Sequence, residues 1–174
     1  ADLIATATIT VTVRQVTISW SEGGTDISNS HTITYDGATH RVSAAYGNAI
    51  EADIANAFTL TAKGMKDAGT YTATVSLASG WNNRYSLSGN TLTYTINKAA
   101  LTVSAGVDGE VAYGTAPENV KYTVSYSGFM GTDNADAVFG TSLPAASSGY
   151  SATTLAGTKV TITITVTEPA NCNY

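Results

Sequence analysis

The chain has 174 residues, of which 43% are hydrophobic and only 12% charged, with 8 Lys and Arg against 13 Asp and Glu for a formal net charge of −5. That length is long for one β-sandwich and natural for two modules of about 80 to 90 residues. The composition argues against disorder, because the apolar residues are patterned. It argues equally against nucleic acid and anionic lipid as partners, because no basic stripe is present to neutralise phosphates. The only cysteine is Cys172, so no internal disulfide can form; cysteine-poor chains occur in the cytosol and on Gram-positive cell surfaces alike. No apolar run reaches the roughly 18 residues of a bilayer span, so no membrane insertion is expected within this stretch. No signal peptide opens it, so an exported protein would carry its signal upstream.

The elements follow a period of two along the chain. Ala5, Ala7, Ile9, Val11 and Val13 alternate with Thr6, Thr8, Thr10 and Thr12. Glu51 to Phe58 is the one stretch that reads as a helical turn. Tyr71, Ala73, Val75 and Leu77 then alternate with Thr and Ser, as do Leu92, Tyr94 and Ile96. Val120, Tyr122, Val124 and Tyr126 follow, and later Val160, Ile162, Ile164 and Val166. Each run predicts a strand with one buried and one solvated face. Thr suits the solvated face, because its branched Cβ favours extended backbone. Gly23-Gly24, Asp36-Gly37, Gly89-Asn90 and Asp108-Gly109 supply turns. Many short strands between turns predict an all-β fold of packed sheets.

The strongest signal is self-similarity. Residues 91–103 align without gaps to residues 8–20, an offset of 83 that places Leu92, Tyr94 and Ile96 opposite Ile9, Val11 and Val13. Ala68-Gly69-Thr70 matches Ala156-Gly157-Thr158. Each is followed by an alternating strand and an Asn-rich end closing on a tyrosine, Asn82-Asn83-Arg84-Tyr85 in one copy and Asn171-Cys172-Asn173-Tyr174 in the other. The expected domains are residues 1–97 and 98–174, with the second copy lacking a counterpart of its last strand. Residues 1–13 read either as the last strand of a preceding repeat or as the first strand of the first module. The junction at Asn97-Lys98-Ala99 has no slack, which predicts stiffly coupled modules in an elongated arrangement.

Asp67-Ala68-Gly69-Thr70-Tyr71 fits the D-x-G-x-Y tyrosine corner of Ig-like sandwiches, in which Asp67, Gly69 and Tyr71 would fix a turn into a strand; a chance turn followed by a strand gives the same letters. The second copy has Lys159 in place of the tyrosine. Tyr35-Asp36-Gly37-Ala38, Tyr113-Gly114-Thr115-Ala116-Pro117, Gly128-Phe129-Met130-Gly131-Thr132-Asp133 and the stretch Gly89 to Ala99 resemble the tandem Ig-like repeats of bacterial surface proteins. The second copy is similar to the YG-type repeats known as MBG domains. The resemblance implies two tandem Ig-like β-sandwich modules in a surface stalk or adhesin, and it brings no catalytic residues.

For catalysis, the only histidines are His31 and His40, and His31 shares a strand face with Ile33 and Tyr35, as a structural histidine would. No nucleophile motif, phosphate loop or spaced carboxylate pair is present. No cofactor and no metal site is expected. Asp133-Asn134-Ala135-Asp136 offers oxygens to Ca²⁺ but reads better as an Asx turn. Cys172 is expected to be buried or idle. For binding, Trp81 with Asn82, Asn83 and Tyr85 forms a candidate glycan platform, a ring to stack on a pyranose beside amides for its hydroxyls; a Trp folded back over the end of the sandwich is the plainer alternative. The expected function is a non-catalytic structural repeat of an extracellular bacterial cell-surface protein, with neighbouring repeats as partners. The alternative is a module that binds glycan or a host surface protein.

Overall fold

The computed structural model describes residues 6–174. The first five residues of the 1–13 segment, Ala5 among them, lie outside the described residues. The chain is all-β, with 41% of it in strands and 9% in helices. The strands of the first half are β1 (Arg14–Glu22), β2 (Thr25–Ile27), β3 (Ser30–Thr34), β4 (Val42–Gly47), β5 (Phe58–Thr61), β6 (Gly69–Leu77), β7 (Tyr85–Ser88) and β8 (Thr91–Asn97). Those of the second are β9 (Thr102–Val107), β10 (Tyr122–Ser127), β11 (Ala145–Ser148) and β12 (Ile162–Thr165). Two short helices interrupt them, α1 (Ile54–Ala57), entered through a 3-10 turn at Glu51–Asp53, and α2 (Ala135–Phe139).

The chain forms two compact units. Unit 1 holds the described residues up to Ile33, Thr39–Met65 and Gly69–Thr95. Unit 2 holds Thr34–Ala38, Lys66–Ala68 and Ile96–Tyr174.

One sheet of unit 1 has the order β2-β1-β4, with β7 added to β1 in parallel; the other has the order β3-β8-β6-β5. The β1–β2 hairpin closes through Gly23 and Gly24, both at positive φ, which is what a two-residue turn matched to the strand twist requires. The alternation read from the sequence becomes the core. β1 buries Val16, Ile18 and Trp20, β6 buries Ala73 and Val75, and β8 buries Leu92 and Tyr94, while their neighbours face solvent. The buried Trp20 satisfies its indole N–H by donating to the Gly89 carbonyl at 2.9 Å.

Unit 2 has fewer strands. β9 and β10 form one antiparallel pair, β11 and β12 another, and α2 lies between them in the chain. Unit 1 has the same succession, the pair β1 and β4, then α1, then the pair β5 and β6. Val138 and Phe139 of α2 are buried with Tyr35, Ile96 and Ala99. β9 to β12 bury no residue fully; Val103, Val124, Tyr126, Ile162 and Ile164 are half-buried.

Residues 6–13 form no strand and are exposed throughout, with Ile9 at 88% and Val11 at 89%. Strand structure begins at Arg14, whose N–H donates to the Arg84 carbonyl at 2.9 Å as β1 meets β7.

Candidate functional site

The tyrosines that close the two Asn-rich ends take up the same local geometry. In unit 1 the Tyr85 hydroxyl donates to Asp53 Oδ2 at 2.6 Å and accepts the Ile50 N–H at 3.4 Å. In unit 2 the Tyr174 hydroxyl donates to Asp133 Oδ2 at 2.9 Å and accepts the Met130 N–H at 2.7 Å. Each phenol therefore bridges a backbone N–H and the carboxylate three residues later, pinning the turn that leads into α1 or α2. The electrostatics agree. The Asp53 hydrogen bond, followed by burial, raises the Tyr85 pKa. Burial, then Asp133, raises that of Tyr174 against the opposing Met130 N–H. Unit 2 adds a second phenol, since the Tyr35 hydroxyl also donates to Asp133 Oδ2 at 2.9 Å. Burial first, and the Asp133 carboxylate second, push Tyr35 up to about 12. Around this latch Asn173 is buried, its Nδ2 donating to Asp67 Oδ1 at 3.0 Å and its Oδ1 accepting the Ala68 N–H at 2.6 Å.

The glycan candidates separate into buried and exposed members. Tyr85 is a core residue, packed on Phe58 with ring centroids 5.3 Å apart and bonded to Asp53. Trp81 is half-buried, stacked on Tyr85 with centroids 6.1 Å apart, and the Arg84 guanidinium lies 4.8 Å from its ring centroid. Asn82 and Asn83 are exposed beside it. Of the corner residues, Asp67 accepts from Asn173, and the half-buried Tyr71 ring lies over Gly69, where a Cβ would stand 3.9 Å from the Tyr71 hydroxyl.

His31 and His40 both pack against Tyr94, at 5.2 and 6.0 Å between ring centroids. Glu22 gathers them: its carboxylate lies 2.6 Å from His40 Nδ1, accepts the Tyr94 hydroxyl at 2.7 Å, and stands 3.8 Å from His31 Nε2. This grouping is invisible to sequence reading, because its members come from four strands or turns. The Asp133 stretch forms no metal cluster among the described residues; Asn134 caps α2 by accepting the Ala137 N–H at 3.0 Å. Of the two expectations for Cys172, a buried or an idle thiol, the first is corrected: the side chain is exposed. The buried side chain of that turn is its neighbour Asn173, held by its own hydrogen bonds.

Among the described residues no helix is long and apolar enough to cross a membrane. Unit 2 also contains an open groove of about 440 Å³, lined by Val107, Val120, Tyr122, Tyr150, Leu155 and Ile162 among others. Its rim is fixed by Tyr122, whose hydroxyl meets Ser148 Oγ at 2.7 Å, and by Tyr150, whose hydroxyl donates to the Thr115 carbonyl at 3.1 Å. The chain matches no family model, no curated protein and no solved structure.

Proposed function

We infer that the chain is a pair of tandem Ig-like β-sandwich repeats serving as a non-catalytic spacer of a bacterial cell-surface, extracellular protein. The observation that carries this reading is the recurrence of the tyrosine latch. Tyr85 with Ile50 and Asp53, and Tyr174 with Met130 and Asp133, occupy corresponding places in two units that share an order of strand pairs and helix. A chain that repeats a fold-fixing device, and spends its Asp and Tyr polar groups on one another, is organised to hold shape. The Thr-rich solvated faces fit a surface exposed along its length.

Small-angle scattering tests the spacer. The expected radius of gyration lies well above the roughly 16 Å of a compact domain of this length, and a value near that figure would sink the elongated arrangement. Trp81, half-buried beside exposed Asn82 and Asn83, favours glycan or host-protein binding as a second reading. Trp20 is sealed in the core, so a ligand at that loop should perturb Trp81 fluorescence. Saturable quenching by a glycan, abolished in Trp81→Ala, would establish the binding module.

A further inference from the structure

The turn between β6 and β7 brings two arginines to one end of unit 1. β1 opens at Arg14 and β7 at Tyr85, and the two strands pair in parallel with Arg14 opposite Tyr85. The Arg14 N–H donates to the Arg84 carbonyl at 2.9 Å, so residues far apart in sequence begin their strands side by side. Both arginines line a pocket of about 330 Å³, together with Ile50, Asp53, Asn83 and Tyr85. That volume falls at the lower end of the roughly 300–1,000 Å³ of small-ligand sites. Two of the chain's three arginines therefore meet here, in a protein of formal net charge −5.

Both guanidiniums keep donors for a ligand. Among the described residues the ion pairs are those of Glu22 with His31 and His40, and neither arginine takes part in one. The Arg84 guanidinium lies 4.8 Å from the Trp81 ring centroid, and Trp81 stacks on Tyr85 with centroids 6.1 Å apart. A cation over an aromatic face is held in place without using its N–H groups in a hydrogen bond. Arg14 directs one donor, Nη1, at the Asn48 carbonyl 3.4 Å away. Asp53, the carboxylate that lines the pocket, accepts the Tyr85 hydroxyl at 2.6 Å. Two guanidiniums against that one carboxylate leave the pocket positive.

A guanidinium fork takes a carboxylate through two parallel N–H bonds, which an ammonium cannot do. The exposed Asn82 and Asn83 each offer both a donor and an acceptor, which is what a sugar hydroxyl needs. Resting on the glycan reading of the Trp81 loop, we propose that this end of unit 1 binds an acidic sugar, a pyranose bearing a carboxylate. Arg14 and Arg84 take the carboxylate, and Asn82 and Asn83 take the hydroxyls. Trp81 then serves as the support that holds Arg84 in place.

Methyl glucuronide and methyl glucoside are the same pyranose with and without a carboxylate, so the pair isolates the charge. Titrated into the isotope-labelled 174-residue chain, the glucuronide should saturably shift the Nε–H resonances of Arg14 and Arg84 and the side-chain amide of Asn83. The glucoside should bind about tenfold more weakly or worse. Arg14→Gln and Arg84→Gln change exposed side chains. Each should weaken the glucuronide by about tenfold and keep the near-ultraviolet signal of buried Trp20. Acetate and a tetraglutamate peptide are the controls. Acetate acting as strongly as glucuronide would mean an adventitious ion only, and a peptide acting more strongly would give the pocket to an acidic protein; either overturns the proposal. Equal binding of the two methyl glycosides overturns it too, while leaving glycan binding in place. A glucuronide that moves neither arginine also sinks it, and Trp81 fluorescence then separates the two ideas: quenching by a neutral glycan keeps the loop a sugar site, and silence removes both.

Discussion

In unit 1 the inward positions of β1, β6 and β8 are sealed from solvent, Trp20, Val75 and Leu92 among them, whereas in unit 2 the equivalent alternation on β9, β10 and β12 leaves Val103, Val124 and Ile162 half-exposed. The side chains are of the same kind and the pairing is as regular. What differs is the number of strands over them. Unit 1 closes two four-stranded sheets; unit 2 has two two-stranded ones among the described residues. Alternation decides which face of a strand is apolar, but burial of that face depends on a neighbour's presence.

The largest expected effect sharpens that contrast directly. Leu92 has no exposed surface, so Leu92→Ala should cost about 2–5 kcal/mol through lost transfer energy and a residual cavity. Val124→Ala in half-buried β10 should cost less than about 1.5 kcal/mol, in the range of small truncations with solvent access. Urea unfolding followed by separate reporters of the two units would compare them. Equal losses would mean that unit 2 is packed as tightly as unit 1.

Much of unit 1 was legible from sequence because its alternating runs have partners. The runs beginning at Tyr71 and Leu92 are β6 and β8, and the stretch Glu51 to Phe58 is the 3-10 turn and α1. The run through Ile9 to Val13 reads as well as any, yet residues 6–13 form no strand. Asp133-Asn134-Ala135-Asp136 reads as an Asx turn, because the helix it opens, α2, is only five residues long and gives no apolar periodicity to see. The latches were half visible. The Asn-rich ends closing on Tyr85 and Tyr174 stood out, but their partners Asp53 and Asp133 lie tens of residues away, and only folding identifies them.

The two latches differ in how many phenols one carboxylate holds. Asp133→Ala removes the acceptor of two phenols, Tyr35 and Tyr174, whereas Asp53→Ala removes that of Tyr85 alone. Each donor left without a partner in a buried setting costs about 1–3 kcal/mol, so Asp133→Ala should be the more damaging, by roughly the lower end of that range. Thermal melts of the two variants check the order, and a larger loss for Asp53→Ala would break the account.

A smaller effect appears at alkaline pH. Tyr35 rises from its ordinary value of 10.0 to about 12. Below pH 10 both folded and unfolded chains hold the phenol proton, and the stabilisation is complete. Between pH 10 and about 12 the unfolded chain gives up that proton while folded Tyr35 keeps it, so stability falls as pH rises through this window. Ultraviolet phenolate titration should show Tyr35 ionising late. In Asp133→Ala it should ionise earlier but still above the ordinary value, because burial is the larger cause. A Tyr35 that titrates normally in the intact protein would remove the basis for this window.

The smallest effect concerns how each unit starts its helix. In unit 1 Asp53 ends the 3-10 turn with αR backbone as the chain passes into α1; its side chain makes no cap hydrogen bond, and its carboxylate accepts the Tyr85 hydroxyl. In unit 2 the two tasks fall to adjacent residues: Asp133 takes the phenols, and Asn134 caps α2 through the Ala137 N–H. Asn134→Ala should therefore cost about 1 kcal/mol and Asn134→Gly only a few tenths, as expected at a working cap. The loss should register in unit 2, since α2 carries the buried pair Val138 and Phe139. Ala52→Ser, next to the latch of unit 1, has no comparable orphan donor to satisfy and should change little. Matched urea titrations of the three variants would decide it; an Asn134→Ala protein as stable as its parent would mean that α2 is held by Val138 and Phe139 alone and that the division of labour between Asp133 and Asn134 has no energetic weight.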